Sequence, residues 1–149
     1  METSGVDVLL IIDPGNLCWL TGYMGESAYV PQMLILAGDE AEPELVLRHQ
    51  DVPCAVHSAY MAKRRYIAYP EELIADPDGR DGFDFVIERL QERRLDQGRI
   101  GIEKGSTFLS GTSWEKFQTS LPDATWVDVT GVLNRLRSIK SAQEIAYMR

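Results

Sequence analysis

His49, Asp51, Cys54 and His57 fall within nine residues, and the Cys54-Ala-Val-His57 spacing puts two of them on one helical face. A structural zinc site takes four nitrogen or sulfur ligands, and a catalytic one three with an open position. Only His49, Cys54, His57 and the distant Cys18 are available, so a solvated histidine pair beside a small buried cysteine is the simpler reading. Asp76, Asp78 and Asp81 with Gly79 and Gly82 suggest a calcium loop, but Arg80 and Ile87 occupy positions that need oxygen ligands. Lys104-Gly105-Ser106 lacks the glycine spacing of a phosphate loop, and no dinucleotide fingerprint follows the first strand. Gly25-Glu26-Ser27-Ala28-Tyr29 lacks the second glycine of a nucleophile elbow. The carboxylate pairs Asp39-Glu40 and Glu71-Glu72 sit in turns, where solvated charge explains them.

One stretch is less easily dismissed. Met24 to Gln32 mixes glycine, an acid, a hydroxyl, an aromatic ring and an amide between two structured segments. Loops held on a scaffold are where ligand contacts concentrate. Glu26, Tyr29 and Gln32 are the candidate substrate-binding residues, able together to orient a small zwitterion once water is excluded. Arg48, at the end of a nearby strand, is the fourth candidate and could pair with a carboxylate. The plainer alternative packs Tyr29 on Trp19 and pairs Arg48 with a neighbouring acid. No residue set assembles catalytic machinery by its own chemistry.

These residues need elements to position them. Val6 to Ile12 is a β-branched run stopped by Asp13-Pro14-Gly15, which predicts a buried strand, parallel or central in its sheet. Asn16 is placed to cap a short segment, Leu17 to Thr21, closed by Gly22. Met33 to Ala37 and Glu44 to Arg48 read as antiparallel strands joined by a turn at Gly38-Asp39-Glu40. Val52 to Met61 predicts a helix, Arg65 to Tyr69 a strand, and Glu71 to Gly82 a surface loop. Phe83, Val86, Ile87 and Leu90 recur at helical spacing with charge on the opposite face, before Gly98 stops the helix. Arg99 to Glu103 and Thr125 to Val129 are strands around a helix from Ser113 to Leu121. Thr130 is placed to cap a further helix, and Ser141 with Glu144 makes a capping box for the last. Strands alternating with helices after an initial meander predict an α/β fold with a mixed β-sheet flanked by helices on both faces.

The chain has 149 residues and a formal charge of −8. That sign argues against a nucleic-acid backbone and an anionic membrane as partners. The sequence holds no apolar run of membrane-spanning length, and the longest, Val8 to Ile12, is strand-sized. Two cysteines make no disulfide framework, and a cytoplasmic location is expected. Residues 134–149 carry a net +3, leaving −11 on the rest. The final helix has little sequence left to pack against, so residues 138–149 are expected to be a linker and the start of a further domain, and residues 1–137 the domain itself. Ser141 to Arg149 is accordingly expected to fray or to pack on a neighbour.

Three stretches in fixed order carry a family resemblance. Asp13-Pro14-Gly15-Asn16-Leu17-Cys18-Trp19-Leu20-Thr21-Gly22-Tyr23 resembles the opening Pro-x-Asn segment of creatinase, prolidase and aminopeptidase P proteins. Arg99-Ile100-Gly101-Ile102-Glu103 resembles their R-(I/V)-G-(I/V)-E strand, and Leu136 to Ile145 is similar to their L-R-x-(I/V)-K linker. Trp19 to Tyr23, with Tyr29 and Gln32, looks closest to the ectoine-hydrolase-like branch. One departure is that Val6 opens the first strand at once, without the helix that usually precedes it.

The resemblance implies a ribonuclease-H-like N-terminal domain of a two-domain metallohydrolase. The dinuclear metal pair (Mn, Co or Zn) is then held by two Asp, one His and two Glu of a C-terminal catalytic domain, so no catalytic or metal-ligating residue is expected here. The implied roles are oligomerisation, as a homodimer, and lining the substrate site for a dipeptide or small molecule such as an Xaa-Pro dipeptide, ectoine or creatine. The alternative is a stand-alone small-molecule-binding or scaffold module of the same fold. A nuclease on this layout would use clustered acids such as Asp7 and Asp13, but the acidic chain lacks a basic track.

Overall fold

Val8, Leu10 and Ile12 turn to one side of the first strand and Leu9 and Ile11 to the other, and both sets are apolar. A strand patterned this way has to be covered on both faces. The computed structural model describes residues 5–25, 27, 29–38 and 40–149. It holds a six-stranded mixed sheet built from β1 (Val8–Ile11), β2 (Met33–Ala37), β3 (Glu44–Arg48), β4 (Tyr66–Tyr69), β5 (Gly98–Ile102) and β6 (Ala124–Asp128). The spatial order is β4-β3-β2-β1-β5-β6. β1, β2 and β3 form the expected antiparallel meander, with Leu10 opposite Ile35 and Leu34 opposite Leu45. β4 joins β3 in parallel, and β5 and β6 extend the sheet in parallel from β1.

The helices divide by face. α3 (Gly82–Glu92) and α4 (Gly111–Ser120) cover the side shown by Val8, Leu10, Met33, Ile35 and Ile100. Phe83, Val86, Ile87 and Leu90 of α3 are all buried there, each worth about 1.5–3 kcal/mol of burial. α1 (Pro14–Thr21), α2 (Val52–Ser58) and α5 (Val132–Ser138) cover the other side through Leu17, Ala55 and Leu133, against Ile11, Leu34, Leu45 and Leu47. α6 (Ala142–Tyr147) has no buried residue. It carries the expected Ser141–Glu144 capping box, and Glu144 accepts a hydrogen bond from Trp19 Nε1 at 3.3 Å.

Two caps differ from expectation. Helix α1 starts at Pro14 with Asp13 as its cap, because Asp13 Oδ1 takes the Asn16 N–H at 3.1 Å. Asn16 is instead inside the helix and buried, where its side chain serves a longer-range purpose. Thr130 does not cap α5: Gly131 does, at φ 76°, while the Thr130 hydroxyl turns to Asp128 and to the Gly105 N–H. Gly22 closes α1 as anticipated, in the left-handed region at φ 78°. Helix α2 is shorter than its apolar pattern, α3 ends at Glu92 well before Gly98, and α4 starts at Gly111 under a Ser110 cap. The 71–82 loop opens with a 3₁₀ turn over Glu71–Ile74. The turn residue Asp39 lies outside the described residues.

At the C-terminal ends of β1 and β5 one carboxylate ties the sheet together. Glu103, 3% exposed, accepts the backbone N–H groups of Ile12 and Asp13 at 2.8 Å each and the Asn16 amide at 2.5 Å. Asn16 Oδ1 in turn accepts from Arg137 of α5 at 2.8 Å. Removing that carboxylate orphans three donors. Glu103→Ala is expected to cost roughly 3 kcal/mol or more, read as a lower urea midpoint at unchanged m-value.

A second carboxylate pins β3 to α3. Glu44 is buried, chelated by Arg89 at 2.8 and 3.1 Å and held by Arg93 at 3.1 Å. Glu40 joins the cluster through Arg65 and Arg93 rather than standing solvated. Burial alone would push the Glu44 carboxyl up, but the Arg89 hydrogen bond and the Arg93, Arg89 and Arg65 charges together outweigh it, so it titrates below its ordinary 4.5. A carboxyl more acidic when folded stabilises the protein above its unfolded pKa, and that contribution is lost as pH falls through the folded one. The melting temperature should therefore fall as the pH drops below about 4.5, and Glu44→Gln should flatten that acid limb.

Candidate functional site

The segment between α1 and β2 is tethered by the shape of its own backbone. Tyr23 turns inward, 2% exposed, and a Cβ on Gly25 would fall 1.9 Å from its hydroxyl oxygen. Only glycine lets the chain pass over that phenol. The segment then runs back along the end of β3, bringing Ser27, Tyr29 and Gln32 to Arg48 and to Asp51 in the turn before α2.

The contacts form a closed polar cluster. Arg48 Nε donates to Asp51 Oδ2 at 2.9 Å, and its Nη2 donates to Ser27 Oγ at 3.1 Å. Ser27 donates onward to Asp51 Oδ1 at 2.8 Å. Gln32 Nε2 donates to the Tyr23 hydroxyl at 3.2 Å and to Asp51 Oδ2 at 3.4 Å. The exposed Tyr29 ring lies against the guanidinium, 5.3 Å from its carbon to the ring centroid, in cation–π contact. The hydrogen bond to Asp51 raises the pKa of Arg48, which stays charged. Burial first, and the Asp51 charge second, push the Tyr23 phenol above its ordinary 10, so it stays protonated.

Three of the four candidate residues thus converge: Tyr29, Gln32 and Arg48 share one cluster. Glu26 lies outside the described residues. Their exposures differ sharply, with Arg48 at 9%, Gln32 at 5% and Tyr29 at 74%. Arg48 is committed to an acid, and Tyr29 packs on it. Tyr29 is the residue that meets solvent. Sequence reasoning treated Asp51 only as a metal-ligand candidate, weighed Ser27 only as a nucleophile and as the segment's hydroxyl, and gave Tyr23 no role at the site. The three-residue spacing of Arg48 and Asp51 across a strand end was the available signal.

The donor set does not fit the dinuclear metal that the family resemblance implies. Asp51 is held by Arg48, Ser27 and Gln32, and Glu103 by three N–H donors. Among the described residues no three His, Cys, Asp or Glu side chains group as metal ligands. Cleaving the buried pair leaves a charge without its partner. Asp51→Ala is expected to cost about 3–5 kcal/mol, and Arg48→Ala to lower the Tm as well, whereas Tyr29→Ala should leave the Tm nearly unchanged. Thermal melts of the three variants check this.

Comparison with known proteins places this geometry. The chain is 41% identical over 145 residues to the uncharacterized hydrolase/peptidase y4tL of Sinorhizobium fredii, covering 97% of this chain and 36% of that protein. It is 36% identical over 150 residues to the ectoine hydrolase of Halomonas elongata, covering all of this chain and 37% of that enzyme. The chain therefore spans little more than a third of the relatives it matches. Its fold superposes on a proline dipeptidase from Streptococcus pneumoniae with a TM-score of 0.72 at 22% identity, over 93% of this chain and 92% of that one. A dipeptidase from Pyrococcus horikoshii gives 0.70 at 19% identity, over 97% and 36%. No helix among the described residues is long and apolar enough to cross a membrane. The family model for the creatinase/prolidase N-terminal domain matches residues 1–139, and the chain belongs to that family.

Proposed function

We propose that this chain is the non-catalytic N-terminal domain of a metal-dependent C–N hydrolase, and that the Met24–Gln32 segment forms part of the wall of its substrate site. The observation that carries the reading is the match to this family across residues 1–139, in a chain that spans 36–37% of its hydrolase relatives. The unmatched remainder of those relatives is room for a catalytic domain, beginning in the 138–149 region. The metal pair, Mn, Co or Zn, belongs to that domain, since the carboxylates of this one are taken up by arginine and backbone donors. The same reading makes the protein a cytoplasmic homodimer.

Tyr29 is the contact residue in this reading, and Arg48 is its support. The guanidinium holds the ring from beneath, Asp51 and Ser27 hold the guanidinium, and Gln32 closes the cluster. A ring fixed on a buried cation offers a substrate a rigid apolar face with a hydroxyl at its edge. Substrates of the right size are small zwitterions with a hydrolysable C–N bond. The identity to ectoine hydrolase over the whole chain favours a small cyclic compound over an Xaa-Pro dipeptide.

The test uses the longer protein that carries both domains. Tyr29→Ala should keep its Tm but lower kcat/KM by about 1–3 kcal/mol equivalent, and Tyr29→Phe should recover most of that loss. Unchanged kcat/KM for Tyr29→Ala on ectoine, creatine and Xaa-Pro dipeptides alike overturns the substrate-wall role. The 149-residue chain alone, supplied with Mn²⁺, Co²⁺ or Zn²⁺, should hydrolyse none of them, and turnover there overturns the non-catalytic assignment.

A further inference from the structure

The sheet has two edges, β4 and β6. An edge strand leaves a row of backbone N–H and C=O groups open, and proteins that keep such an edge single guard it with a charge, a proline or a bulge. β4 has none of these within it. Tyr66-Ile67-Ala68-Tyr69 is uncharged and mostly of residues that favour strands, and its register with β3 is unbroken. Among the described residues β4 pairs with β3 alone. An open hollow of about 390 Å³ lies at its C-terminal end, lined by His49, Ala68, Tyr69, Pro70, Glu71 and Glu72.

Charge around this edge is arranged in a particular way. Lys63 and Arg64 lead into β4, Glu71 and Glu72 follow it, and all four are exposed. Among the described residues Lys63 and Glu72 form no ion pair, and Arg64 comes no nearer than 3.7 Å to Glu42. Glu71 accepts the Gln50 N–H at 2.7 Å. A strand that is basic at its start and acidic at its end is complementary to a copy of itself run backwards. β6 is not, because Asp123 precedes it and Asp128 ends it, and the same operation sets acid against acid.

We propose that β4 is a self-association edge, on which a second copy of this chain adds its own β4 antiparallel and joins the two sheets into one. The twofold axis of such a pair passes between equivalent residues, so its centre falls on Ile67 or Ala68. Centred on Ile67, Lys63 comes opposite the partner's Glu71. Centred on Ala68, Arg64 comes opposite the partner's Glu72. In either register both basic ends meet acidic ends. Strands this short make a small interface, so the dimer is weak and charge complementarity rather than area decides its specificity. The pairing names a face for the homodimer proposed above, and rests on that reading only for the existence of a dimer.

Sedimentation equilibrium of the 149-residue chain should show a monomer–dimer equilibrium that weakens as salt is raised. Lys63→Glu with Arg64→Glu makes both ends of the strand acidic, and Glu71→Lys with Glu72→Lys makes both basic. Each double variant alone should dimerise roughly tenfold more weakly or worse, the first at unchanged Tm. Mixed, the two should form a heterodimer, because every end then meets its opposite. If loss of the Gln50 contact unfolds the Glu71→Lys variant, the Lys63→Glu/Arg64→Glu protein still decides. A wild type that stays monomeric at about 1 mM overturns the inference. So does a dimer that the Lys63 and Arg64 reversal leaves unchanged, and so do two folded variants that fail to pair on mixing. The homodimer reading is tested on the longer protein, which still sediments as a dimer if another face holds it, so the two fail separately.

Discussion

Parallel strands that end side by side present backbone N–H groups with no strand left to pair them, and chain leaving each strand has to be held there. Here Glu103, the first residue past β5, turns back and takes the N–H groups of Ile12 and Asp13 just past β1. The same carboxylate fixes Asn16, and Asn16 fixes Arg137. One buried anion therefore sets the pairing of β1 with β5, the direction of α1, and the position of α5 on the opposite layer. The cost of burying it is offset by three N–H donors, two on Oε2 and one on Oε1. The three sequence stretches that carry the family resemblance meet physically at this point. Asn16 comes from the first, Glu103 from the second and Arg137 from the third.

The other buried ionic groups follow the same logic at the edges of the meander. Glu44 gathers Arg89 and Arg93 from α3, so the longest amphipathic helix is held to the sheet by charge at one end and by Phe83, Val86 and Leu90 along its face. Asp51 gathers Arg48, Ser27 and Gln32, and so anchors an otherwise irregular segment to the end of β3. In a chain with an overall charge of −8, Arg48, Arg65, Arg89 and Arg93 are the arginines placed at the buried carboxylates Asp51 and Glu44. Glu44 and Asp51 are buried against cations, whereas Glu103 is buried against N–H donors alone.

The layers were legible from the sequence because hydrophobic periodicity reports burial directly. β1 reads as a two-faced apolar run, β2 and β3 as a meander, and Phe83 to Leu90 as one helical stripe, and all three hold. The caps were less legible. Asp13 and Asn16 are both good helix-capping residues, and only the long-range pull of Glu103 decides that Asp13 caps while Asn16 turns inward. Thr130 was misread for the same reason, because its hydroxyl serves Asp128 and Gly105, far apart from the helix start in role though adjacent in sequence. At the candidate site the sequence named Tyr29, Gln32 and Arg48 but not Asp51. The spacing of Arg48 and Asp51 hinted at the pair, but which side chains of the 24–32 segment reach it depends on where that loop folds back, and no local pattern encodes that.

Rigidity and exposure separate structural from functional roles on this domain. Glu103, Asn16 and Arg48 are buried and hydrogen-bonded to other parts of the fold, so substituting them changes stability before anything else. Tyr29 sits on that fixed base while remaining 74% exposed, which is the arrangement that a contact residue needs: its position is set from below, and its outer face is free. Gln32 is buried like Arg48, with its amide nitrogen spent on Tyr23 and Asp51, so it belongs to the base and not to the contact surface. The side chain that a ligand can reach is therefore held in place by side chains that it cannot reach.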